Sequence, residues 1–328
     1  MVGSNGQSRT PGLVGDIGGT HARFGWLPEP GAPVQHVRTL AVAEHAGPAQ
    51  ALQRYLDGIK AQRAGLAPRC AALAVATAVA GDRIDLTNSP WQFSQAALRA
   101  ELGLELLLVL NDFEALALSL PRLKPAQLQA PGVSLRPGGT MAVIGPGTGL
   151  GVAGVVQTPQ GWVALPGEGG HATLAAADDF ESELLRQARR EFAHVSAERL
   201  LSGVGLPVLH RAVAAVQGQA ASALSGREIV EQGLAGDALA GLTLDTFCAL
   251  LGGFAGSVAL LLGARGGVYI GGGIVPRLGE RFFASRFRQR FVAKGRFGAY
   301  LAAIPTPLIT DTLAALDGAA LALEQQGR

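Results

Sequence analysis

Apolar residues fall in short runs that stop at glycines, and the pattern predicts an alternation of strands and helices. Leu13-Val14-Gly15 reads as a short strand running into Asp16-Ile17-Gly18-Gly19-Thr20, with a second strand over Ala22 to Leu27 and another over Val34 to Val42. Leu52, Tyr55, Leu56 and Ile59 recur at i, i+3, i+4, i+7, the spacing of one helical face. Ala71 to Ala78 and Leu106 to Leu110 are continuous apolar runs suited to buried strands, and the second stops at Asn111-Asp112. Pro121, Pro125, Pro131 and Pro137 then interrupt the pattern and mark the expected domain boundary.

The opening theme returns beyond the prolines. Met141 to Ile144 predicts a strand, Gly145-Pro146-Gly147-Thr148-Gly149 a glycine turn, and Gly151 to Val156 the next strand. Strand, Gly-Thr turn and strand thus occur twice, which suggests two similar halves. Phe180 to Phe192 reads as a helix, Gly267 to Ile270 as a strand ending in Gly271-Gly272-Gly273, Pro307 to Thr310 as a late strand, and Thr312 to Leu323 as a helix that returns to the first half. The alternation argues for layered α/β structure. Thr246 to Ala264 carries no charge and is long enough to span a bilayer, but Gly252, Gly253, Gly256 and Gly263 dilute it, and a helix buried in an α/β core explains it more simply.

Composition supports a folded chain with no broad electrostatic partner. Apolar residues make up 48% of the 328 positions and charged residues 16%, enough for a large core. A formal net charge of +2 leaves no field for nucleic acid or an anionic membrane. Cys70 and Cys248 sit among apolar residues with no partner at zinc spacing, which fits two buried thiols in a reducing, cytoplasmic setting. Met1 to Pro11 is polar, lacks the apolar stretch of a signal peptide, and reads as a loose tail.

Several positions carry candidate chemistry. Gly18-Gly19-Thr20 and Gly147-Thr148-Gly149 both follow strands; each can offer backbone N–H groups and a hydroxyl to phosphate, or can be a tight hairpin turn. Neither is a Walker P-loop, and residues 145–151 do not place glycines as a dinucleotide fingerprint does. Asp16, beside the first turn, suits a magnesium ion shared with phosphates, or an Asx turn. Asp112 can accept a proton from an attacking hydroxyl, or can cap the helix that starts near Phe113. Glu168 and His171, in Pro166-Gly-Glu-Gly-Gly-His171, are set among glycines as sugar-hydroxyl partners would be, although His171 can equally be a turn histidine. Glu198 alone reads as a first-turn helix acid.

Taken in order, these motifs are familiar. Asp16-Ile-Gly-Gly-Thr-His-Ala-Arg23, Leu110-Asn-Asp-Phe113, Gly145-Pro-Gly-Thr-Gly-Leu-Gly151, Leu165-Pro-Gly-Glu-Gly-Gly-His171, Val195-Ser-Ala-Glu-Arg199 and Gly271-Gly-Gly-Ile-Val-Pro-Arg277 together resemble bacterial glucokinases of the proteobacterial type, in the hexokinase–actin-like superfamily. The resemblance runs from about Leu13 to the C-terminus. It implies a two-domain, actin-like (ribonuclease H-like) α/β fold with a cleft: a small domain over 12–121, completed by 312–328, and a large domain over 122–311.

The same resemblance implies transfer of the ATP γ-phosphoryl group to the 6-hydroxyl of glucose, with Asp112 as catalytic base. It implies sugar contacts from Asn88, Asn111, Asp112, Glu168, His171 and Glu198. Asp16, Gly18, Gly19 and Thr20 match the first phosphate motif, Gly147, Thr148 and Gly149 the second, and Gly271, Gly272 and Gly273 the loop near adenosine. ATP and Mg2+ are the implied cofactors, with Asp16 holding the ion through water. The zinc motif of related ROK sugar kinases is missing, and a homodimer is the implied assembly. Kinases for another hexose or an amino sugar share every motif named. A non-catalytic sugar sensor or a DNA-binding regulator on the same fold is the more distant alternative. The basic run Arg277 to Arg296 reads as one amphipathic helix with a solvated face rather than a nucleic-acid patch.

Overall fold

Period-two alternation in the opening strands decides how the first unit packs. The computed structural model describes residues 11–87, 89–130 and 138–326; Asn88, Pro131 and Pro137 lie outside them. By its contacts the chain divides into one unit of residues 1–123, 158–164 and 312–328, and a second of residues 124–157 and 165–311. The first contains β1 (Gly12–Ile17), β2 (His21–Leu27), β3 (Gln35–Ala41), α1 (Pro48–Gly58), β4 (Cys70–Val75), the hairpin β5 (Arg83–Asp85) and β6 (Gln92–Ser94), α2 (Gln95–Glu101), β7 (Leu106–Asn111) and α3 (Asp112–Ser119). Its sheet runs β3-β2-β1-β4-β7, with β1–β2 and β2–β3 antiparallel and β1, β4 and β7 parallel.

Leu13, Ile17, Leu73 and Val75 point to one side of this sheet and pack with Leu52, Tyr55 and Leu56 of α1. Val14 and Ala72 point to the other and pack with Leu316, Ala319, Ala320 and Leu323 of the C-terminal helix Ala314–Gln326. That helix also packs on α3. A Cβ at Gly318 would overlap the Ala115 carbonyl oxygen, so only glycine admits the approach. Arg122 pairs with Glu324 and fastens the far end.

The second unit is built on the same plan. It holds β8 (Leu128–Gln129), β9 (Met141–Pro146), β10 (Leu150–Thr158), the C-terminal end of β11 (Gly161–Leu165), α4 (Asp179–Ala188), α5 (Leu206–Val216), α6 (Gly226–Leu234), α7 (Ala238–Leu262), β12 (Gly267–Ile270) and β13 (Leu308–Ile309). The run β10-β9-β12-β13 repeats β2-β1-β4-β7: an antiparallel hairpin, then two parallel neighbours. The repeated strand–turn–strand pattern in the sequence is therefore a repeated topology.

Helix α7 is the centre of the second core, with Phe247, Leu250, Leu251 and Ala255 buried. It begins at Ala238, eight residues before the uncharged run, because Asp237 caps it by accepting from Ala240 N at 2.7 Å. Length and composition alone would let it cross a membrane, yet 67% of its most apolar window is buried within the fold. Its glycines are contact points: a Cβ at Gly252 or Gly256 would overlap the carbonyls of Phe287 or Phe291.

The basic run Arg277 to Arg296 is not one helix, as the sequence suggested. It breaks into Val275–Leu278, Glu280–Ala284 and Phe287–Val292, with Gly279 at φ +54° at the first break. Its charges are largely used internally. Arg281 pairs with Asp245, Arg288 donates to the carbonyls of Ala302 and Ile304, Arg290 pairs with Asp178 and Glu181, and Lys294 donates to Ser257.

Candidate functional site

Parallel strands put their carboxyl ends at one edge of a sheet, where open α/β folds bind ligands. In the first unit Ile17, Val75 and Asn111 are in register across β1, β4 and β7. Asp16 and Asn111 therefore stand at one edge, on the order of 10 Å apart by strand spacing. Asn111 is the helix cap: its Oδ1 accepts from Phe113 N at 2.9 Å and Glu114 N at 3.3 Å, and Glu114 closes the capping box. Its amide donates to Thr77 O at 3.1 Å, tying the helix start to the end of β4. With Asn111 as cap, Asp112 becomes the first residue of α3, where its Oδ1 accepts from Phe113 N at 3.0 Å.

Burial, and then the Asp16 charge, push the Asp112 carboxyl up to about 6. Its proton affinity thus lies near the range a general base needs at neutral pH. Asp16 is also raised, by burial, against the opposing pull of Arg23. Arg23 Nη1 lies 2.9 Å from Asp16 Oδ2, directly across the hairpin. Arg23 is a site residue to which the sequence reading gave no role. The signal was present: a turn that pairs Ile17 with Ala22 must pair Asp16 with Arg23.

The turn after β1 is a real hairpin, but not of the kind expected of glycine. Gly18, Gly147 and Gly149 all lie outside the positive-φ region. Gly18 N donates to His21 O at 3.0 Å, and Gly147 N to Gly149 O at 2.9 Å. In both turns the first N–H is thus consumed locally, and a phosphate would use the residues that follow, including exposed Thr20 and Thr148. The glycine that requires its conformation is Gly272, at φ +76°, where a Cβ would overlap Pro146 O. Gly271 N donates to Ile144 O at 2.8 Å, so the triple-glycine loop is laced to the strand leading into the Gly147 turn. Gly272→Ala is expected to strain this loop and destabilise the protein by about 1 kcal/mol or more, which thermal denaturation checks.

The second unit also gathers Glu168, His171 and Glu198. Glu168 bridges to Val152 at the start of β10, and Gly170 packs so closely that a Cβ would overlap Leu150 O. Glu198 does not begin a helix, as its sequence context suggested; it sits in a turn, with its N–H on Gly170 O at 2.8 Å. Glu198 Oε2 accepts from Leu150 N at 2.8 Å, and Oε1 lies 3.9 Å from His171 Nε2. Gly203 N donates to Gly147 O at 2.7 Å. One segment, 197–203, thus ties the Glu168–His171 loop to the Gly147 turn. Glu168 and His171 are exposed and keep their polar groups clear of the core. Asn88 lies outside the described residues.

Asp16 suits a magnesium ion chemically. Magnesium takes one or two carboxylates with waters and phosphate oxygens, and the repulsion that raises Asp112 is one a divalent cation would offset.

These features have close parallels among known proteins. The glucokinase family model matches residues 13–326. A glucokinase of Aromatoleum aromaticum is 50% identical over 316 residues, covering 96% of this chain and 95% of that protein. A "bifunctional protein glk" of Paraburkholderia xenovorans is 45% identical over 318 residues, 96% of this chain, and the chain spans 49% of its length. The crystal structure of a glucokinase from an Antarctic psychrotroph superposes with a TM-score of 0.88 at 37% identity, covering 95% of this chain and 98% of that one. A two-domain, actin-like α/β fold with these motifs on its strand ends places the chain in the glucokinase family.

Proposed function

We propose that this chain transfers the γ-phosphoryl group of ATP to the 6-hydroxyl of glucose, with Asp112 as the base. The observation that carries the reading is Asp112 itself: a carboxylate at the edge of parallel strands, spared from capping by Asn111, with its pKa raised to about 6. The sugar oxygen attacks the γ-phosphorus, the bond from phosphorus to the β–γ bridging oxygen breaks, and ADP leaves. The hydroxyl proton passes to Asp112. Transfer of this kind depends mainly on positioning and charge stabilisation.

Asn88, Asn111, Asp112, Glu168, His171 and Glu198 are the proposed sugar contacts. Asp16, Gly18, Gly19 and Thr20 with Gly147, Thr148 and Gly149 are the proposed phosphate contacts, and Gly271, Gly272 and Gly273 the adenosine loop. Asp16 would hold Mg2+, which would supply charge to neutralise the phosphates. Arg23 holds the Asp16 carboxylate in place for it. We take the working domains as 12–121 with 312–328, and 122–311.

A cytoplasmic homodimer with no nucleic-acid or membrane partner is the proposed setting. The resemblance supports the assembly, and the internal pairing of the basic run weakens a nucleic-acid reading. Formation of ADP and glucose 6-phosphate from ATP and glucose, in a coupled assay, tests the function. A chain that binds glucose and releases no ADP would refute it.

A further inference from the structure

One carboxylate of the second unit touches both functional segments. Glu198 Oε2 accepts from Leu150 N at 2.8 Å, the residue that closes the Gly147–Gly149 turn. Its other oxygen faces His171 Nε2 at 3.9 Å, beyond hydrogen-bond reach. The side chain is 29% exposed, so this outer side is open to a ligand. The backbone around the carboxylate is fixed: Ala197 N donates to Ala172 O at 2.9 Å, Glu198 N to Gly170 O at 2.8 Å, and Gly203 N to Gly147 O at 2.7 Å. A Cβ on Gly149 would lie 2.5 Å from Glu198 Oε2, so the turn is shaped around this carboxylate.

We propose that Glu198 is a positioning residue that couples sugar binding to nucleotide binding by spanning the Glu168–His171 loop and the Gly147–Gly149 turn. The inference rests on the kinase reading above and adds a function to one of its sugar contacts. Without sugar, the outer oxygen has no fixed donor and the carboxylate can rotate, loosening Leu150 N. A sugar hydroxyl donating to Oε1 removes that freedom and holds the turn in its phosphate-binding form. The coupling is reciprocal, so bound phosphate tightens the sugar site by the same factor. One charge-assisted hydrogen bond places the effect toward the low end of observed site–site couplings, about 5- to 20-fold in Kd.

The test is calorimetric. The Kd of the β,γ-imido analogue of ATP is measured with Mg2+, with and without saturating glucose, in the wild type, Glu198→Asp and Glu198→Gln. Glucose tightens the analogue about fivefold or more in the wild type. Glu198→Asp keeps the charge but is one methylene too short to span, so its ratio falls to about one. Glu198→Gln keeps the span with a neutral acceptor for Leu150 N, and so retains more of the ratio than Glu198→Asp. If the charge alone mattered, the order would reverse. The reverse order, or equal loss in both variants, overturns the spanning role, as does a wild-type ratio in Glu198→Asp.

A second readout needs no variant. Amide exchange at Leu150 slows on adding glucose alone to the wild type, and an unchanged rate overturns the proposal. A wild type that binds glucose and nucleotide independently defeats the coupling and leaves the kinase reading intact. One that binds neither defeats both.

Discussion

Replacing Asp112 with asparagine lowers kcat for glucose phosphorylation by about 10²- to 10⁴-fold, the contribution typical of a positioned base, while glucose still binds. Asparagine keeps the size and the backbone contact at the start of α3 but cannot take the hydroxyl proton. Titration of the wild type follows the same group. With Asp112 raised to about 6 in the ligand-free protein, kcat/KM falls as pH drops through that value, and the remaining activity of Asp112→Asn loses this limb.

The stability effect has the opposite direction. The folded pKa lies above the ordinary aspartate value of 3.8, so the fold favours the protonated carboxyl. The stability contribution is complete below about pH 4 and is lost as pH rises through about 6. Ligand-free Asp112→Asn is therefore more stable than wild type at pH 8, by less than about 3 kcal/mol because the carboxylate is only partly buried, and the gap closes near pH 4. Thermal denaturation at the two pH values checks both sign and window.

Gly318→Val should be the most damaging substitution distant from any substrate. The new Cβ would overlap the carbonyl oxygen of Ala115, a backbone atom in the middle of α3 that cannot swing aside. Relief requires the C-terminal helix or α3 to move, and α3 carries Asp112 on its first turn. Overpacking against backbone costs about 3 kcal/mol or more, enough to lower the denaturation temperature by more than about 5 °C. Because the displaced element holds the base, kcat falls along with stability. Normal kcat in a fully folded Gly318→Val protein would show that α3 is not positioned by this contact.

Gly318 also marks a limit of the sequence. Its role is packing against a helix some 200 positions earlier, a distance no local pattern reports. Strands and the buried helix were legible because period-two alternation, continuous apolar runs and glycine stops are local properties. β4, β7, β9 and β12 appear where such runs occur. The site was legible as a set of chemical types, but its wiring was not. Glu198 looked like a helix-start acid because its neighbours are helix-compatible, yet its position follows from hydrogen bonds to Gly170 and Leu150. The basic run looked like one helix because Arg and Phe alternate suitably; the Gly279 conformation and the internal ion pairs decide otherwise. Asp112 had two readings, base or helix cap, and the structure gives the cap to Asn111 and puts Asp112 on the first turn of α3.

The most direct measurement is ATP- and Mg2+-dependent phosphorylation across glucose, mannose, fructose, glucosamine and N-acetylglucosamine, with Asp112→Asn run in parallel. Turnover greatest on glucose, at least about a hundredfold lower in the variant, is the predicted result. No turnover on any sugar while glucose remains bound, or undiminished turnover in Asp112→Asn, would contradict the assignment of this site as a glucose kinase built on Asp112.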